Sequence, residues 1–190
     1  MKIPGAKGLV GVILLLLGIV PTHGISSSQD QNGRNFVNLG IVSAPIGEEA
    51  RVPLSLTVNS QTQIGQLTSE VRFNHKWLIF KEIDLSEHLE TARTQVDAKV
   101  QRDPDGDTST LIFTISVSEN GLAPPSGTVL ELVFSVAEDA DDTHMLTLDM
   151  EAEALTSGGS PQPIEDLEVY GGGITVLGPA TLFGCFFYMH

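Results

Sequence analysis

Between residues 36 and 177 apolar side chains recur at every second position in short runs separated by turn residues, the pattern of half-buried strands. In one run Val52, Leu54, Leu56 and Val58 share a face, and Arg51, Pro53, Ser55 and Thr57 take the other. In the next, Leu67, Ser69, Val71 and Phe73 point inward, leaving Gln66, Thr68, Glu70 and Arg72 outside. Further strands are expected over 78–83, 95–101, 110–118, 128–136, 145–151 and 173–176, with order beginning near Phe36. So many short strands do not suit a single open sheet, so the expected fold is all-β, with two packed sheets. One helical exception stands out. Asp84-Leu85-Ser86-Glu87 has the shape of a capping box and Leu85 and Leu89 lie four apart, which predicts a turn or two of helix at a sandwich edge. No long amphipathic helix, internal repeat or low-complexity tract accompanies it, so coiled coils and solenoids drop out.

The ends of the chain follow other patterns. Residues 1–24 read as a secretory signal: Lys2 and Lys7 form a basic start, 8–20 are uncharged and rich in Leu, Ile and Val, and small residues precede a cut after Gly24. The apolar run is short for a membrane span. Residues 25–35 are polar and aperiodic, a flexible lead-in to a single domain at 36–177. The tail at 178–190 is uncharged up to its last residue and carries Phe183, Phe186, Phe187 and Tyr188. Its aromatics are expected to pack on the domain or on a partner. Gly178 and Pro179 break a spanning helix, and no basic residue follows to fix an orientation, so a membrane anchor is the less favoured reading.

Charge then narrows the partners. Ten Lys+Arg stand against 24 Asp+Glu, a formal net charge of -14, which repels phosphate backbones and argues against nucleic acid. Cleavage of the signal removes two basic residues and no acid. The single cysteine, Cys185, allows no bridge within the chain, so an exported form relies on core packing alone. An extracellular, cell-surface or periplasmic location is expected.

The segment 64–80 resembles the signature strand and turn of cohesin domains. In that family an alternating strand ends in an aromatic-Asp-Pro turn, and a Leu starts the next strand. Here the turn reads Phe73-Asn74-His75 and the following Leu is Leu78, so the aromatic is kept and the Asp-Pro pair is not. Other cohesin-like features come in the family's order: Gly47-Glu48-Glu49 before the strand at 52–58, the strand at 127–136, and a closing Gly-Gly-Gly-Ile-Thr-Val at 171–176. The similarity spans roughly 36–177. It implies a nine-stranded jelly-roll sandwich and a non-catalytic role in protein recognition, since cohesins hold the dockerin modules of polysaccharide-degrading assemblies on one sandwich face. Related sandwiches bind carbohydrate, which makes polysaccharide recognition the alternative.

Tests for chemistry leave little. Asp103, Asp105 and Asp107 alternate as calcium ligands do, yet Gly and Glu are missing from the sixth and twelfth positions that an EF-hand loop requires. A solvated hairpin turn is the simpler reading, with weak calcium binding behind it. Glu138, Asp139, Asp141 and Asp142 read as a second charged loop. The histidines show no metal-binding spacing, and neither a nucleophile elbow nor a phosphate-binding loop is present, so no enzyme and no cofactor are expected. Trp77 is read as core or rim packing, and aromatics make up only 6% of the chain, too few for an obvious sugar platform. Candidate partner contacts are the outward residues Thr68, Glu70 and Arg72, then Ile112, Thr114 and Ser116, then Val129, Glu131 and Val133. Ile112, Val129 and Val133 are apolar where alternation expects polar side chains, the mark of a binding patch or of a strand covered by a neighbouring loop.

Overall fold

The computed structural model describes residues 34–59, 63–91, 94–117, 126–140 and 144–178. The expected signal and the tail aromatics Phe183, Phe186, Phe187 and Tyr188 lie outside the described residues. Eleven strands and one short helix are described, in the order β1 (Asn35–Leu39), β2 (Ile41–Pro45), β3 (Glu49–Thr57), β4 (Ile64–Asn74), β5 (Leu78–Leu85), α1 (Glu87–Thr91), β6 (Thr94–Arg102), β7 (Thr108–Val117), β8 (Ser126–Val136), β9 (Met145–Thr156), β10 (Leu167–Tyr170) and β11 (Gly172–Leu177). They build two sheets, β10-β1-β3-β8-β5 and β2-β11-β9-β4-β7-β6. β1 with β10 and β2 with β11 pair parallel; the other pairings are antiparallel.

Eleven strands and the expected nine reconcile at two glycine crossings. β1 runs into β2 through Gly40 and changes sheet there, and β10 does the same into β11 through Gly171. Counted as continuous runs, these four segments are two strands of a jelly roll. The crossings touch: Gly173 N–H donates to Gly40 C=O at 3.2 Å. A Cβ on the intervening Gly172 would lie 2.7 Å from Leu39 Cβ, so only glycine lets the two runs approach this closely.

Alternation does the rest. β3 buries Ala50, Val52, Leu54 and Leu56, and β7 buries Leu111, Phe113, Ile115 and Val117. Phe134 of β8 sits between Phe73 and Phe80, edge-to-face, with ring centroids 5.2 and 5.7 Å away. Each such side chain contributes about 1.5–3 kcal/mol when fully buried. Trp77 packs half-buried against this core, as expected, with Lys76 Nζ 4.3 Å above its ring.

Several local readings change. Asn35, placed in the lead-in, opens β1 and is 7% exposed, its Oδ1 accepting Asn59 N–H at 3.1 Å. β9 runs on to Thr156 because pairing with β4 overrides the poor strand propensity of its Ala and Glu residues. α1 forms, but Asp84 does not cap it. Asp84 lies in β5 and bonds Arg51, while Ser86 C=O accepts Leu89 N–H at 2.8 Å and Glu90 N–H at 3.2 Å.

Candidate functional site

The candidate contacts divide between the two sheets. Thr68, Glu70, Arg72, Ile112, Thr114 and Ser116 share the outward face of the six-stranded sheet, because β4 and β7 are neighbours in register: Thr68 opposes Thr114 and Glu70 opposes Ile112. β9 and β6 extend that face to either side. Across it run the rows Glu153–Thr68–Thr114–Asp97, Glu151–Glu70–Ile112–Lys99 and Asp149–Arg72–Thr110–Gln101.

At its centre lie half-buried groups, uncharged except for Glu70, which opposes Ile112. Thr68 and Thr114 share a hydroxyl hydrogen bond of 3.2 Å, and Gln66 Nε2 donates to Thr68 Oγ1 at 3.4 Å. Ile112 is half-buried beside them. Charges stand around this centre: Arg72 Nη2 meets Glu151 Oε1 at 2.8 Å, and Asp149 and Glu153 are exposed along β9. These rows carry five carboxylates, at positions 70, 97, 149, 151 and 153, against the two bases Arg72 and Lys99. The face is therefore negative, and its surplus charge favours a basic partner. At one end, Arg72, Asn74, Trp77, Thr108, Asp149 and Met145 line a shallow cleft of about 270 Å3.

Val129, Glu131 and Val133 do not belong to this face. They are in β8, between β3 and the edge strand β5 of the opposite sheet. Val129 is 0% exposed because the β3–β8 register slips between Leu54 and Ser55, leaving it unopposed and turned into the core. Its carbonyl accepts both Ser86 N–H at 3.1 Å and Ser86 Oγ–H at 2.6 Å. Val133 does face outward, yet it is 1% exposed, flanked in register by the long side chains Arg51 and Glu82. Glu131 is held by Arg51, whose Nη1 reaches Asp84 at 2.7 Å and Glu131 at 3.4 Å. The hydrogen bond to Asp84, then that to Glu131, holds the Arg51 guanidinium above its ordinary value. The apolar residues at 129 and 133 thus mark covered positions and offer no exposed patch.

The turn at Phe73-Asn74-His75 explains its own departure from Asp-Pro. Asn74 Oδ1 accepts Lys76 N–H at 2.9 Å, the bond an Asp would make in an Asx turn. His75 uses an N–H that proline lacks, donating to Asp107 C=O at 2.8 Å, and its Nδ1 lies 3.1 Å from the buried Ser109 hydroxyl. Asp107 belongs to the β6–β7 hairpin, which has the expected turn: Asp103 N–H donates to Thr108 C=O at 3.0 Å, and Asp105 N–H to Asp103 Oδ1 at 3.1 Å. Among the described residues, no group of three or more His, Cys, Asp or Glu is placed to hold a metal ion.

No family model and no curated protein matches the chain. Solved structures do. The third cohesin of ScaC from Acetivibrio cellulolyticus, solved in complex with the ScaB dockerin, superposes with a TM-score of 0.60 at 17% identity, over 75% of this chain and 99% of that one. A non-cellulosomal cohesin from the archaeon Archaeoglobus fulgidus gives 0.56 at 15%, over 76% and 92%. The cohesin module of a family 33 glycoside hydrolase from Clostridium perfringens gives 0.58 at 11%, over 77% and 99%. The chain has the cohesin fold.

Proposed function

We propose that this domain is an exported, non-catalytic binding module that presents the outward face of β9, β4, β7 and β6 to a dockerin-type protein. The observation that carries the reading is the anatomy of that face: a centre of Thr68, Thr114 and Ile112 with the single acid Glu70, within a predominantly acidic border. Interfaces are built this way, with charge depleted at the core and polar groups at the rim. The cohesins solved with bound dockerins lend the partner class. Export rests on the composition of residues 1–24.

Polysaccharide binding has less support. The described outward residues of these four strands include no aromatic side chain on which a pyranose ring could stack, and the one tryptophan is half-buried beneath Lys76. A pull-down from native secretions with the immobilised chain tests the reading. The parent chain is expected to retain a basic protein that an Ile112→Asp chain fails to retain. Retention of polysaccharide alone, or of the same protein by both chains, would contradict it.

A further inference from the structure

Four strands end the two sheets, and three of them are poor templates for pairing. β10 has 4 residues and β2 has 5, and β5 is interrupted by a register shift between Phe80 and Glu82. β6 is different. It runs 9 residues in unbroken register with β7, without proline or bulge, and no strand among the described residues pairs with its other edge. Sheet edges of this kind pair with another strand unless something blocks them. Its inward-facing residues also escape cover: Val96 is 37% exposed and Val100 47%.

The sequence of β6 selects the occupant. About Ala98 the strand is self-complementary in the antiparallel sense: Val96 mirrors Val100, Gln95 mirrors Gln101, and Asp97 mirrors Lys99. We infer that β6 pairs antiparallel with β6 of a second copy of this chain, across a two-fold axis at Ala98, joining two six-stranded sheets into one. Asp97 of each copy then faces Lys99 of the other, and Val96 faces Val100.

Backbone geometry agrees with that register. Asp103 N–H donates to Thr108 C=O at 3.0 Å in the β6–β7 register, and alternation from that pair points the backbone groups of Asp97 and Lys99 at β7. Those of Val96, Ala98 and Val100 point at the open edge, where two copies exchange about six hydrogen bonds centred on Ala98. Asp97 and Lys99 fall at non-hydrogen-bonded positions of the new ladder, where facing side chains come closest. Neither is in an ion pair within the described residues. The valines would form one apolar strip with their symmetry mates. Charge permits the approach as well: the chain is at -14, but β6 itself holds one acid against two bases, Lys99 and Arg102. The pairing does not depend on what the outward face binds.

Sedimentation equilibrium of the full chain, without any partner, tests the pairing. The parent is expected to dimerise. Ala98→Pro removes only an N–H that faces the open edge, so the fold survives while dimerisation weakens by at least about tenfold. A charge exchange tests the register without a proline. D97K chains and K99D chains should each self-associate about tenfold more weakly than the parent, and should pair with each other when mixed. A parent that stays monomeric up to about 1 mM, a dimer that Ala98→Pro leaves intact, or charge variants that gain nothing on mixing would overturn the proposal.

Discussion

Ser69 is the residue at which the core is least satisfied. It occupies an inward position of β4, 1% exposed, and its hydroxyl has no hydrogen-bond partner among the described residues. A buried hydroxyl without a partner is a net cost, so Ser69→Ala is expected to leave stability unchanged or raise it by up to about 1 kcal/mol. Chemical denaturation checks this, and a loss of more than that amount would mean the hydroxyl is bonded. The Asn74-His75 turn yields a sharper pair of expectations. Asn74→Asp keeps the acceptor and should change stability by less than about 0.5 kcal/mol. His75→Pro deletes the N–H that holds Asp107 and the ring beside buried Ser109, and should cost about 2 kcal/mol. Asn74 was legible as a turn residue from its own chemistry. The partner of His75 was not, because nothing near it in sequence names a carbonyl on the neighbouring hairpin.

At the scale of single elements, alternation located the long strands, and it failed where the pattern was short or broken. β2 and β10 are too brief for a period to register, and they form because the parallel partners across the glycine crossings hold them. In β8 the period misassigned Val129, since a bulge shifts the phase by one residue. Val133 was misread for another reason: its exposure is set by the long side chains beside it. Arg51 therefore works through its stem as well as its charge. Its ion pairs are about half-exposed and screened by water, so they contribute little. Arg51→Met, which keeps cover over Val133, should leave the denaturation midpoint close to that of the parent, while Arg51→Ala should lower it measurably. Equal losses in the two variants would show that charge dominates. In the β6–β7 hairpin, Asp103 accepts a backbone N–H, a role Asn can fill. Replacing Asp103, Asp105 and Asp107 together by Asn should leave the Tm equally insensitive to added calcium; a calcium-dependent rise in the parent that the variant lacks would identify a site.

For the whole molecule, the two-sheet architecture followed from counting strands, and the candidate face did not follow from any one of them. Outward residues of β4 and β7 could be named from alternation, but their association with Asp97 and Lys99 of β6 and with the acids of β9 is a product of topology. The same topology sent Glu131 to the opposite sheet, where Arg51 engages it. The proposed role requires that the β9-β4-β7-β6 face, and not the opposite one, contacts a protein partner. Ile79, 53% exposed on β5, provides the matched control on the other sheet. Calorimetric titration of a partner recovered from native secretions into parent, Ile112→Asp and Ile79→Asp chains compares the two faces directly. The account predicts that Ile112→Asp raises Kd by at least about tenfold, with Ile79→Asp indistinguishable from the parent. An unchanged Kd for Ile112→Asp, with weakening at Ile79→Asp, would contradict it.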